Sequence, residues 1–220
     1  AVLLLDVGPL GPDYLPAHGH ADTLGFEMSL HGQRVIVDSG VSRYDDCPAR
    51  LFERGTKAHN TVAVDGQDSS EVWGSFRVAR RARPFGLEIA EEKGTIRVEC
   101  RHDGYRRLPG KVTHCRSWNL GKNSLRIEDR LEGKFDSARH GLLLSPTVAE
   151  ASKGNIGSQS EIRRGEWTLP DGTSVVWELE PGQGRYEEAE YHPEFGVSQK
   201  SVRLVGDFRK DRNIFEMNWS

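Results

Sequence analysis

The chain has 220 residues, with 30 basic side chains set against 33 acidic ones for a net charge of −3, a balance that argues against a nucleic-acid binder or a general polyanion binder. No apolar run approaches the roughly 20 residues of a helical membrane span. Frequent punctuation by 24 glycines and 10 prolines instead favours a β-rich module, and the length falls within the range of a single large β-sandwich.

In chain order, Leu24–Leu30 and Arg34–Asp38 are predicted strands around a His31-Gly32-Gln33 turn that leaves His31 in solvent. Helix is predicted only at Ala49–Arg54 and, more briefly, Ser69–Val72. The segment from Arg77 to Arg83 carries four arginines; alternating along a strand they would line an anion-binding cleft, or else defend a solvated edge. Phe85–Ala90 and Gly94–Cys100 pair around Glu91-Glu92-Lys93, and His102 and Tyr105 follow in a turn. Lys111–Leu120 and Ser124–Leu131 flank Gly121-Lys122-Asn123, and Trp167–Leu169 and Ser174–Leu179 flank Pro170–Thr173. Ser201–Phe208 and Ile214–Trp219 close the series. Successive hairpins at this spacing predict an all-β fold, a large antiparallel β-sandwich with one or two short helices, formed by residues 1–220 as one domain.

The chemistry concentrates in three segments. His18-Gly19-His20 stands before the first strand, Val37-Asp38-Ser39-Gly40 ends the second on a carboxylate, and Ala58-His59-Asn60-Thr61 follows. Two imidazoles and a carboxylate arriving from separate pieces of backbone form a nitrogen and oxygen donor set suited to zinc. The spacing is long, however, and a hydrogen-bonded core His–Asp pair accounts for the same residues.

The ordered blocks Leu5-Asp6-Val7-Gly8, His18-Gly19-His20-Ala21-Asp22, Val37-Asp38-Ser39-Gly40, Ala58-His59-Asn60-Thr61-Val62 and Trp73-Gly74-Ser75-Phe76-Arg77 resemble the β-sheet portion of the heparinase II/III family of polysaccharide lyases. The likeness is close over about the first 80 residues and looser beyond. It implies β-elimination of uronate-containing glycans, with His18 facing the acidic polysaccharide as the catalytic histidine. It also implies a structural zinc on His20, Asp38 and His59. A regular strand would aim His18 and His20 to one side, so a twist or bulge is expected at Gly19. Tyr44, Arg54 and Arg77 are the candidate substrate contacts.

Members of that family carry an N-terminal helical toroid that completes the active site. Nothing in these residues reads as one, and the chain opens at Ala1 directly in an apolar run. The resemblance therefore implies that this is the sheet half of a longer enzyme, with little activity alone, and that the protein is bacterial and periplasmic or secreted, although the cytoplasm stays open. The competing function is a non-catalytic carbohydrate-binding or scaffolding sandwich. Among the remaining candidates, the five tryptophans divide between core packing and sugar stacking. Cys100 and Cys115 fall on adjacent predicted strands, where a bridge is open.

Overall fold

A computed structural model of the chain describes residues 1–156 and 161–220. The strands are β1 (Val2–Leu5), β2 (Phe26–Leu30), β3 (Gln33–Ile36), β4 (Val62–Val64), β5 (Val72–Trp73), β6 (Arg77–Val78), β7 (Pro84–Glu92) and β8 (Thr95–His102). They continue with β9 (Thr113–Leu120), β10 (Ser124–Glu132), β11 (Ala138–Leu143), β12 (Arg164–Thr168), β13 (Ser174–Glu180), β14 (Gln183–Tyr191), β15 (Gln199–Asp207) and β16 (Arg212–Trp219). Two short helices interrupt them, α1 (Pro48–Arg54) and α2 (Pro146–Ala151). Among the described residues no helix is long and apolar enough to cross a membrane.

A seven-stranded antiparallel sheet, ordered β12-β13-β16-β10-β9-β8-β7, packs against the four-stranded β14-β15-β11-β4 sheet and the small β1-β2-β3 sheet. Period-2 alternation explains the layering. Leu125 and Ile127 of β10, Trp118 of β9 and Phe215 and Met217 of β16 meet Leu142, Leu204, Phe26 and Met28 from the opposite layer. Burying side chains of this size contributes about 1.5–3 kcal/mol each. Trp118, Trp167, Trp177 and Trp219 belong to this core, and Trp73 alone is half exposed.

Four of the predicted hairpins are present, β2–β3, β7–β8, β9–β10 and β12–β13, whereas the last two strands of the series, β15 and β16, do not pair and belong to opposite sheets; the other differences have physical causes. Ser69–Val72 forms no helix; Ser69 and Ser70 are fully buried, and their hydroxyls bond Thr56 and the Ala82 amide. A helix unannounced in the sequence appears at α2, where Pro146 stands at N1 and the Ser145 hydroxyl accepts from the Val148 amide. The Arg77–Arg83 strand shrinks to the two-residue β6; beyond it Arg80 pairs with Glu71 and Arg81 with Asp13. Cys100 and Cys115 are free thiols. Register places Cys100 opposite Arg116 and Cys115 opposite Arg101, so the two thiols leave opposite faces of the sheet.

A strip of polar side chains runs through the β8-β9-β10 interior. His102 Nε2 lies 3.1 Å from His114 Nδ1, His114 Nε2 lies 2.6 Å from Asp129, and the Arg116 guanidinium grips both Asp129 oxygens at 2.7 and 2.9 Å. His102 and Tyr105, expected in a turn, are wholly buried. The Tyr105 hydroxyl donates to the Val62 carbonyl at 2.6 Å.

Burial holds His102 well below the ordinary histidine range and His140 at about 4. The unfolded chain takes up a proton on each as pH falls through about 6.5, whereas folded His140 resists until about 4 and folded His102 resists as well. Stability is therefore expected to fall as pH drops below about 6.5, with His140 alone contributing roughly 2 kcal/mol of the loss at pH 5. Urea unfolding at neutral pH and at pH 5 measures it, and His140→Asn should flatten the dependence.

Candidate functional site

The His18-Gly19-His20 segment precedes β2 as a loop, so its geometry comes from packing rather than from strand alternation. Leu10 lies against Gly19 so closely that a Cβ there would sit 2.1 Å from Leu10 Cδ2. A larger residue there would have to displace Leu10, and the flanking imidazoles point apart, His18 to Tyr44 and Phe76 and His20 to His59 and Arg50. The divergence expected at Gly19 is present, produced by a tight loop in place of a bulge.

Helix α1 fixes this loop from below. Pro48 presets its first turn, and Arg50 and Arg54, four residues apart, share one face. Arg54 donates to the Gly19 carbonyl at 3.0 and 3.2 Å and to the Gly74 carbonyl at 2.9 Å. Its side chain is completely buried, so Arg54 is no sugar contact as expected from the sequence; it positions the His18 loop and the β5–β6 turn. Arg50 reaches His20 Nε2 at 3.1 Å and the Ser75 carbonyl at 3.3 Å, and its guanidinium lies 5.1 Å from the Tyr44 ring centre.

His18 points outward into an aromatic enclosure. Its ring stands edge-on to Tyr44 at 5.3 Å and to Phe76 at 5.7 Å, and Phe195 stacks on Tyr44 at 5.0 Å. Trp73 lies alongside, with Arg77 over its ring at 4.7 Å. Tyr44, Phe76, Trp73 and Phe195 are all substantially solvent-exposed, an unusual outlay of aromatic surface that suits the apolar faces of sugar rings. Tyr44 thus lies against the His18 ring, whereas Arg77 stacks on Trp73. Phe195 comes from the loop after β14 and had no local signal; Phe76 stood unremarked inside the Trp73–Arg77 block.

His20, Asp38 and His59 meet beneath the groove. His59 Nδ1 is 2.6 Å from Asp38 Oδ2, and the His20 and His59 rings are 5.2 Å apart. Asn60 explains how His59 is placed: its amide donates to the Phe26 and Val37 carbonyls and its oxygen accepts from the Leu143 amide. One side chain thus joins β2, the end of β3 and β11. Arg116 caps the Asn60 and Leu24 carbonyls at 2.6 and 2.7 Å, tying this corner to the buried strip.

The electrostatics follow from that crowding. Burial works against a charged His59, yet the Asp38 charge and hydrogen bond, with Asp22 adding, lift it to about 9. Burial would raise Asp38, but His59 holds it at about 2. Burial, then the positive fields of His59 and Arg50, lower His20 to about 3. Asp22 is lifted to about 6 by burial, and Asp6 is also raised. Both carboxylates belong to blocks already notable in the sequence, yet neither stood out there as a site residue.

Nitrogen and oxygen donors of the kind zinc prefers therefore converge, with His59 turning Nδ1 toward Asp38. Against this, Arg50 occupies His20 Nε2, and among the described residues no three His, Cys, Asp or Glu side chains stand in a metal-holding arrangement. The donor chemistry fits zinc, while the observed hydrogen bonds use a guanidinium in its place.

Residues 1–220 match the family of heparinase II/III-like C-terminal domains. The chain belongs to that family. Its fold is similar to the heparan sulfate lyase HepC from Pedobacter heparinus, with a TM-score of 0.76 at 18% identity over 99% of this chain. A heparinase III, the BT4657 gene product, is similar at a TM-score of 0.75 and 18% identity, again over 99% of the chain. The α-N-acetylgalactosaminidase NagBb from Bifidobacterium bifidum shares the fold more distantly, at a TM-score of 0.52 and 11% identity over 90% of the chain. Comparison with curated proteins returns no match. This heparinase II/III-like chain spans 32% of the length of either heparinase, about a third.

Proposed function

We propose that this chain is the β-sheet part of a polysaccharide lyase that cleaves uronate-containing glycans by β-elimination, with His18 at the substrate. The observation that supports the reading is an exposed imidazole set against the exposed rings of Tyr44 and Phe76, with Phe195 stacked on Tyr44. The family membership supports it.

The chemistry requires that the proton on C5 be taken and that its electron pair form the C4–C5 double bond. The C4–O4 bond breaks, and the leaving oxygen receives a proton. The uronate carboxylate opposes the first step because negative charge develops beside it. The aromatic rings would hold the sugar faces, and the Arg77 guanidinium would pair with a carboxylate or sulfate. His18 would either accept the C5 proton or compensate the carboxylate. A helical domain preceding this one would supply the remaining acid and base.

Zinc, in the same reading, would be held by His20, Asp38 and His59 in place of the Arg50 contact, contributing a fixed positive charge beneath the groove. Elemental analysis should then find roughly one zinc per chain, abolished by His59→Ala. Metal-free protein with a native fold would remove the zinc and leave the His18 reading standing.

The decisive assay follows the unsaturated uronate chromophore when the full-length protein meets heparan sulfate, alginate and other uronate polymers. Saturable glycan binding without that chromophore would favour a carbohydrate-binding module and overturn the lyase.

A further inference from the structure

A cavity of about 350 Å³ lies on the other side of α1 from the groove, between that helix and the outer face of the β14-β15-β11-β4 sheet. Arg50 and Arg54 face the His18 loop, whereas Ala49, Phe52 and Glu53 face this cavity. Its volume falls in the range of small-molecule sites, about 300–1,000 Å³.

The residue that marks it is Arg203, only 6% exposed. The guanidinium donates to the Lys57 and Ala58 carbonyls, each at 2.5 Å, and its Nε has no protein partner. Among the described residues no carboxylate bonds to it. Glu187 stands directly opposite in the β14–β15 register, but it turns to Arg185 at 2.7 Å and Arg139 at 3.6 Å. Gly141 keeps the space open for Arg203, since a Cβ there would come within 2.8 Å of the arginine Cδ. Ser39 and His59 also line the cavity, and the Ser39 hydroxyl and His59 Nε2 are likewise buried without partners. With His140 Nε2, which also lines the cavity, four buried polar groups without partners surround one cavity, more than a folded protein leaves without cause.

We propose that this cavity binds a small monocarboxylate of monosaccharide size, with its carboxylate on Arg203 and its hydroxyls on Ser39 and His59. A buried guanidinium that Asp38 and Glu187 act on only from a distance, with no carboxylate bonded to it, has room for one anionic group in direct contact. Glu187, Glu188 and Glu190 at the rim repel a second, which separates this ligand from a polyanionic glycan chain. The small floor residues Ala63, Gly141 and Ala189 leave room for a ring. The inference does not require the lyase reading.

Isothermal titration calorimetry of the full chain with sodium glucuronate, glucose and sodium sulfate tests it. Glucuronate is expected to saturate with a Kd in the millimolar range or tighter, with glucose and sulfate at least about tenfold weaker. Arg203→Gln should weaken glucuronate at least about tenfold. Ala63→Leu, which fills the floor and leaves the Arg203 hydrogen bonds in place, should do the same and keeps the test open should Arg203→Gln fail to fold. Absence of saturable glucuronate binding, equal affinity for glucose or sulfate, or binding undiminished by Ala63→Leu overturns the proposal. So does loss of binding on His18→Ala, which would place the ligand in the groove; lyase activity, present or absent, leaves the cavity result intact.

Discussion

In the full-length protein, His18→Ala is expected to lower kcat on a uronate polymer by roughly 10²- to 10⁴-fold, the span of a positioned acid–base group. The melting temperature should stay within a few degrees of the parent. His18 is exposed and meets only the edges of Tyr44 and Phe76, so its removal opens no core cavity. Rate and stability separate at this position because Gly19, held by Arg54, fixes the loop whether or not the imidazole is there. Steady-state kinetics beside a thermal melt measures both. Activity within a few-fold of the parent would remove His18 from the chemistry; a large loss of stability would make it a structural residue.

Asp129→Ala is expected to destabilise the fold by roughly 3–5 kcal/mol, the cost of leaving a buried charge without its partner. Asp129 occupies a core-facing position of β10 between Ile127 and Leu131, where alternation would otherwise place an aliphatic residue. Its two oxygens meet Arg116 and His114, and all three side chains are buried. Without the carboxylate, Arg116 keeps its charge inside the sheet with only the Leu24 and Asn60 carbonyls to solvate it. Those carbonyls belong to the segments that place β2 and His59, so the damage should extend to the groove. Urea unfolding supplies the measurement. A loss below about 1 kcal/mol, the range of an exposed ion pair, would show that water reaches the strip. Asp129→Asn keeps the side-chain shape and one acceptor oxygen but removes the charge and sets an amide N–H against a donor, so it should fall between Asp129→Ala and the parent.

Much of the architecture was legible because it is local. Hairpins such as β7–β8 and β9–β10 declare themselves through period-2 alternation and short polar turns, information that lies within some twenty residues. Strand β14 escaped because Arg185, Glu187, Glu188 and Glu190 present no apolar stripe; its nine-residue ladder with β15 holds it instead. Strand β11 escaped similarly, with Arg139, His140 and Gly141 stabilised by pairing on both edges. Arg54 and Tyr105 were misplaced for a related reason. Charge and a hydroxyl suggest solvent, and only the carbonyls waiting at Gly19, Gly74 and Val62 reveal otherwise.

By itself the sequence determined the all-β class, four of the hairpins and the family, since the ordered blocks that carry the resemblance are specific. Tertiary structure alone decided that His18 sits among Tyr44, Phe76 and Phe195, that Arg54 is a strut, that the thiols of Cys100 and Cys115 face apart, and that Arg203 lacks a carboxylate partner. Each of these is set by a contact between residues distant in the chain. Alternation tells which way a side chain points from its own strand, and only the packing of the layers tells what it meets there.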